Sequence, residues 1–184
     1  MTKNKLESVI TYLQMMGPPT APPPPAPLGH IALLHCEKPT VSFYRYLYDT
    51  VGAPWLWYER RVMDDDALSE IINDDKVEIF VLYVHGNPAG YFELDLRQMP
   101  DMELAYFGLM PEFIGQGLGL FLLRQAIDSA WLHKPKRLWL HTCNQDHPGA
   151  LPFYQRAGFD VYEQETIVID DPRTKYADLE WPEA

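Results

Sequence analysis

Three glycines at alternate positions, Gly115, Gly117 and Gly119, stand in PEFIGQGLGLFLL, directly before a run of good helix formers. A glycine inside a helix costs about 1 kcal/mol relative to alanine. Such a run therefore serves a sharp turn or a close approach of backbone to a ligand. A glycine turn that enters a helix presents several backbone N–H groups and the positive end of the helix dipole. That arrangement binds phosphate. No Gly-Lys-Ser/Thr follows the glycines, which excludes a P-loop. The spacing is not GxGxxG, and no acid stands where a ribose-binding Asp belongs. Taken alone, the turn also fits tight helix–sheet packing.

Two other groups of residues could do chemistry. His141, Asp146 and His147 are metal-ligand types, but they do not make a convincing ligand set, so no metal is expected. Cys143 could be a nucleophile, but a buried, inert thiol is the simpler reading.

Several strands and helices have to position these residues. HIALLHC and EIFVLYV read as strands, the second buried on both faces. TVSFYRYLYDTVG places Val41, Tyr44, Leu47, Tyr48 and Val51 at helical spacing and stops at Gly52. DDDALSEIIND opens with acids and carries Leu68, Ile71 and Ile72 on one helix face. HGNP is a turn, and AGYFELDLR alternates Phe92, Leu94 and Leu96 with Glu93, Asp95 and Arg97. MELAYFGLM is a further strand. After the glycine turn, GLGLFLLRQAIDSAWLH is apolar nearly all round, as a helix packed on a sheet should be. RLWLHTC is a strand, PGALPFYQRAG a helix closed by Gly158, and FDVYEQETIVID one or two final strands. A strand–turn–helix–strand succession implies a right-handed parallel crossover, whereas the earlier short turns imply antiparallel pairing. The expected fold is α/β (α+β in some schemes): a mixed, mostly antiparallel sheet with helices on both faces.

The chain has 184 residues, enough for one well-buried domain. Residues 17–29, GPPTAPPPPAPLG, hold seven prolines and must be an extended connector. The expected division is an N-terminal arm with this connector, residues 1–29, and a folded domain, residues 30–184. Net charge is −11, which argues against nucleic acid. Two cysteines give no disulfide framework, and no apolar run approaches a membrane span, so a cytoplasmic protein is expected. Exposed aromatics and the final strands point to a homodimer.

ELAYFGLMPEFIGQGLGLFLL, a following strand and ALPFYQRAGF together resemble the acetyl-coenzyme A-binding core of the GNAT superfamily of N-acetyltransferases. The family turn is [Q/R]-x-x-G-x-[G/A]; here it runs Ile114-Gly115-Gln116-Gly117-Leu118-Gly119, with both glycines in place and Ile at the first position. Ala150, Tyr154, Gly158 and Phe159 fit the second family pattern in full. LHTCNQDHPGALPFYQRAGF is similar to a group of uncharacterised bacterial members.

The resemblance implies transfer of an acetyl group from acetyl-coenzyme A, as co-substrate, to an amine of a small molecule or peptide by direct attack. It implies that the backbone of Phe107 to Leu109 pairs with the pantetheine arm, and that amides from Ile114 to Leu120 (Gly115, Gln116, Gly117, Leu118 and Gly119 between them) hold the pyrophosphate. Tyr154 matches the family tyrosine that serves as general acid, a role open to a phenol of pKa near 10. Glu103 matches a glutamate that takes the amine proton in some members. The family asparagine that touches pantetheine falls at His147, with Asn144 three residues earlier as the alternative. The acceptor is expected beside the Tyr- and Trp-rich segment 40–61, helped by acids at Asp64 to Asp66. The other readings are a non-catalytic acyl-coenzyme A sensor and an interaction module using the aromatic and proline-rich segments.

Overall fold

The computed structural model describes residues 4–182. Its strands are β1 (Lys5–Met15), β2 (Ile31–His35), β3 (Val77–Val84), β4 (Asn87–Asp95), β5 (Asp101–Leu109), β6 (Arg137–Cys143) and β7 (Asp160–Asp170). Its helices are α1 (Val41–Gly52), α2 (Glu59–Val62), α3 (Asp65–Ile72), α4 (Leu118–Leu132), α5 (Ala150–Arg156) and α6 (Pro172–Lys175). The strands form one sheet in the order β2-β3-β4-β5-β6-β1-β7. Only β5 and β6 pair in parallel, joined by α4 as crossover, and every other pair is antiparallel. The α/β, mostly antiparallel sheet expected from the sequence is the one observed.

Each face of the sheet has its own core. On one, Leu122, Leu123, Ala126 and Ile127 of α4 pack on Phe92, Leu94, Leu104, Leu138 and Leu140. On the other, Tyr44, Leu47, Tyr48 and Val51 of α1, with Leu68 and Ile72 of α3, cover Ile79, Val81 and Tyr91. Side chains start both helices of that second layer: Thr40 accepts from the Phe43 amide, and Asp64 from the Ala67 amide at 2.9 Å.

The N-terminal arm is part of this sheet rather than an appendage to it. β1 lies between β6 and β7 and hydrogen-bonds to both, with Leu13 and Met15 buried in the α4 core. The proline-rich connector then has to cross from β1 to β2 at the far edge. Five strand spacings are about 24 Å. Thirteen residues of extended, proline-rich chain reach about 40 Å, so a stiff connector suits the crossing. Arg124 of α4 holds it on the way, donating to the Ala21 carbonyl at 2.8 Å. The outer ends of the two expected units, residues 1–3 and 183–184, lie outside the described residues.

One irregularity opens the sheet. Leu94 pairs with Leu104 but Glu93 with Tyr106, so Ala105 is an extra residue in β5. Such a bulge bends the strand that carries it. The parallel pairing with β6 covers only Asp101, Met102 and Glu103. Beyond it the two strands diverge, and the β5 edge over residues 104–109 is left without a strand partner on that side.

Candidate active site

A cavity of about 700 Å³ occupies the opening between β5 and β6. At one end its wall includes Phe107, Gly108 and Leu109 of β5, Ile114 and Gly119 of the glycine turn, and Ala150, Phe153 and Tyr154 of α5. Gly115 and Gly117 have φ values of +82° and +76°, a region that residues with a Cβ rarely occupy. A Cβ at either would meet nothing within 4 Å, so backbone conformation, not crowding, calls for glycine there. Gly117 is also the N-cap of α4, and no side chain caps the helix. Ile114, Gly115, Gln116, Gly117 and Leu120 are all exposed, Leu118 is buried in the core, and the Gln116 side chain turns back to the Glu112 carbonyl. The first amides of α4 are therefore free to meet an anion at the mouth of the cavity.

Tyr154 lines the cavity from α5. Its ring packs on Phe107, Phe153 and Phe159. Burial, with Asp146 adding to it, pushes the phenol well above its ordinary value, so it keeps its proton throughout the neutral range. Glu103 lies where β5 and β6 part, and the His141 Nδ1 of β6 faces its Oε1 at 3.4 Å. Hydrogen bonding to Glu103 raises the His141 pKa, burial opposes the rise, and Asp146 and Glu59 add smaller upward contributions. Cys143 also lines the cavity, where burial raises its thiol pKa and disfavours the nucleophilic thiolate.

Of the two pantetheine alternatives, His147 lines the cavity and stacks edge-on against Trp55. Asn144 is committed elsewhere: its side chain accepts from the Val9 amide at 2.8 Å and donates to the Glu7 carbonyl, fastening β1.

The other end of the cavity is roofed by Trp55, Leu56, Trp57, Tyr58 and Glu59. Gly52 makes this possible, because a Cβ there would lie 2.2 Å from the Trp57 ring. Asp146 ties the roof to β6, accepting from Trp57 Nε1 at 3.3 Å and from the Thr142 hydroxyl at 2.7 Å. Behind it lies a buried ion pair: Arg60 Nη2 donates to Glu93 at 2.9 Å, and the Tyr44 hydroxyl donates to the other oxygen at 2.6 Å. The guanidinium also sits over the Tyr44 and Tyr106 rings. The C-terminal segment straps the roof from outside: Tyr176 stacks on Tyr58, and Arg61 donates to the Glu180 carbonyl beneath Trp181. The acids expected beside the acceptor are not there. Asp64 caps α3 and Asp65 pairs with Arg45, both away from the cavity. Acids at the start of a helix are explained by the helix itself, and the carboxylates that line the cavity are Glu59, Asp95, Glu103 and Asp146. The partnership of His141 with Glu103 was missed, because nothing in the sequence says which strands become neighbours.

A mostly antiparallel sheet opened at a parallel pair, with a glycine turn and helix at the opening, is an acetyltransferase-like fold. Residues 40–159 match the acetyltransferase (GNAT) family, and the chain belongs to that family. No curated protein matches the sequence. Among solved structures, a conserved protein of unknown function from Staphylococcus epidermidis is similar over 91% of this chain and 63% of its own, at 16% identity and a TM-score of 0.61. A tandem GNAT protein from the clavulanic acid biosynthesis pathway is similar over 92% of this chain and 55% of its own, at 13% identity and TM-score 0.61. The ribosomal-protein-S18-alanine N-acetyltransferase of Escherichia coli is similar over 76% and 91%, at 15% identity and TM-score 0.60. The chain thus spans less than two thirds of the length of the first two, and the likeness to all three is one of fold. Among the described residues no helix is long and apolar enough to cross a membrane, and no group of three or more His, Cys, Asp or Glu could hold a metal ion.

Proposed function

We propose that the chain is an acetyl-coenzyme A-dependent N-acetyltransferase in which an amine attacks the thioester directly. One observation carries the reading: the unpaired β5 edge, Tyr154 and the glycine turn all border a single cavity. The residues present fit the co-substrate. The open edge over Phe107–Leu109 suits an amide-bearing arm, the uncapped start of α4 suits a pyrophosphate, and His147 lines the same cavity. When bound, acetyl-coenzyme A supplies an activated acetyl carbon.

The chain's own groups do the rest. The Phe107 amide donates to the carbonyl oxygen as charge develops on it. Glu103, backed by His141, takes the proton that the amine nitrogen must lose. As the new C–N bond forms and the C–S bond breaks, the Tyr154 hydroxyl donates a hydrogen bond to the departing sulfur, which leaves as a thiolate and takes its proton from solvent. Cys143 takes no part.

Gly117→Trp tests the pyrophosphate site. It forces a side chain into a left-handed position, at about 1–2 kcal/mol, and its bulk enters open space at the anion site rather than the core. Calorimetry should show acetyl-coenzyme A binding weakened at least about tenfold while the variant still unfolds cooperatively. Unchanged affinity would remove the turn from the binding site.

Glu103→Gln tests the base. Glu103 raises the His141 pKa, so His141 holds its proton to higher pH in the parent protein. In the variant the His141 ring is the proton acceptor left of the pair; it acts only when deprotonated, and the rising limb of the residual kcat/KM should therefore lie at lower pH than in the parent. The His141 ring titration, followed by NMR, should move with it, and the rate on the plateau should fall by about 10². If neither the limb nor the ring titration moves, Glu103 and His141 do not act as a pair.

A further inference from the structure

The acceptor end of the cavity has a floor that the catalytic reading does not use. Leu6 and Ile10 of β1 and Ile167 and Ile169 of β7 line it. Their registers place them on one face of the sheet. Leu6 is opposite Ile169, Ser8 opposite Ile167, and Ile10 opposite Cys143; Tyr12 in turn is opposite His141. The strip thus begins next to the Glu103–His141 pair and runs outward. From Leu6 to Ile10 it covers about 13 Å along β1. It remains open to a ligand, since Ile167 is 36% exposed and Leu6 and Ile10 are only half-buried. Trp55, Leu56 and Trp57 face it from the roof.

Most of the charge that lines the cavity is already paired, the exposed Arg156 of α5 apart. Arg60 is spent on Glu93, and Arg97 chelates Asp95 through two nitrogens. Asp146 is consumed by Trp57, Thr142 and the Cys143 amide. Glu59 accepts only from the Tyr48 hydroxyl and the Tyr58 amide, and Glu103 faces only His141. Two carboxylates without a guanidinium or ammonium partner thus stand at the reacting end, among aromatic rings, and an apolar strip leads away from them. Carboxylates and aromatic faces attract an ammonium, and the strip gains by covering hydrocarbon. Few groups on it, chiefly the Ser8 hydroxyl and Gln145, could satisfy buried hydroxyls or peptide groups, whose desolvation would go uncompensated.

We propose that the acceptor is a primary amine on an apolar, alkyl or aryl-alkyl skeleton, with the amine between Glu59 and Glu103 and the skeleton along Leu6, Ile10, Ile167 and Ile169. This rests on the acetyltransferase reading. It gives the N-terminal arm a function: β1, inserted between β6 and β7, supplies half of the specificity floor.

The full chain is assayed for thiol release from acetyl-coenzyme A with 2-phenylethylamine, n-octylamine, spermidine, glucosamine and an alanyl tripeptide, alongside calorimetric binding of acetyl-coenzyme A. The expected result is a kcat/KM for the first two at least tenfold above the other three. Ile167→Glu should raise the KM for 2-phenylethylamine at least tenfold and leave acetyl-coenzyme A affinity unchanged. Ile167→Ser, milder on an edge strand, should raise it in the same direction. A hydrophilic amine that is the better substrate would overturn the proposal and leave the acetyltransferase reading standing. So would a KM indifferent to residue 167, whereas acetyl-coenzyme A binding with no amine acetylated would overturn the proposal and favour the non-catalytic sensor. Absence of acetyl-coenzyme A binding by the folded chain would remove both readings.

Discussion

Tyr154→Phe is expected to lower kcat by about 10²–10³, within the range spanned by the loss of a positioned acid, while acetyl-coenzyme A binds as before. The ring contacts with Phe107, Phe153 and Phe159 survive in phenylalanine, so packing is kept and only the hydroxyl is lost. The direction of the phenol's shift gives the experiment a second readout. A pKa raised by burial means that the hydroxyl is still protonated above pH 10, so the activity of the parent protein should show no falling limb from this group across the neutral and mildly alkaline range. The same shift limits what the hydroxyl does. A thiol titrates near 8.5, well below this phenol, so early full transfer is uphill. Its contribution is a hydrogen bond that strengthens as sulfur becomes a thiolate. Thiol release and calorimetry on the same preparations decide the matter. A kcat within twofold of the parent would sink the assignment, and a parent that binds acetyl-coenzyme A but acetylates nothing would favour the non-catalytic sensor.

Arg60→Ala should have the largest effect on stability, a loss of about 3–5 kcal/mol, because it leaves a fully buried carboxylate without its counter-charge. For a chain of this size that corresponds to a Tm lower by about 6–20 °C. The pH dependence has a definite sign. Burial already raises the Glu93 pKa, and Arg60 is the largest influence opposing it. Without Arg60 the carboxyl is pushed up further. A group whose pKa is raised by folding favours the native state when protonated and penalises it as pH rises through the folded value. The deficit of Arg60→Ala should therefore be greatest at neutral pH and shrink on acidification. Arg60→Met combined with Glu93→Gln should recover most of the loss, since it removes both charges while filling the space. Thermal melts from pH 4 to 8 are the measurement. A cost under 1 kcal/mol, or one indifferent to pH, would show that the pair is not the keystone between α2 and β4.

Much of the catalytic half of the site could be read from local spacing. Gly115 and Gly117 announce left-handed backbone at a helix start, and positive φ values are found at both. Ala150 and Tyr154 sit one turn apart on α5 and Gly158 turns left-handed just past its end, so the helix places the tyrosine without help from distant residues. The alternation in β4 separated its two faces correctly. It did not reveal that the polar face is covered, and Glu93 is 0% exposed because α1 and α2 fold over it.

The sequence by itself determined β2 to β7, α1, α3, α4, the glycine turn and the tyrosine helix, because each is set by residues within a few positions of one another. Only the tertiary structure decided the rest. β1 enters the sheet between partners more than a hundred residues away. Its mixed pattern of Ser8, Val9, Ile10 and Thr11 suits a strand covered on both faces as well as a free arm. Glu103 meets His141 only because β5 and β6 become parallel neighbours, which sets His141 two residues beyond Trp139, the partner of Glu103, on the same face. Asp64 to Asp66 are acids expected beside the acceptor, but they cap and open α3 and none lines the cavity. Periodicity records which way a side chain points along its own element. Which elements become neighbours is settled by burial summed over the whole sheet, and the acceptor end of this site is built almost wholly from such neighbours.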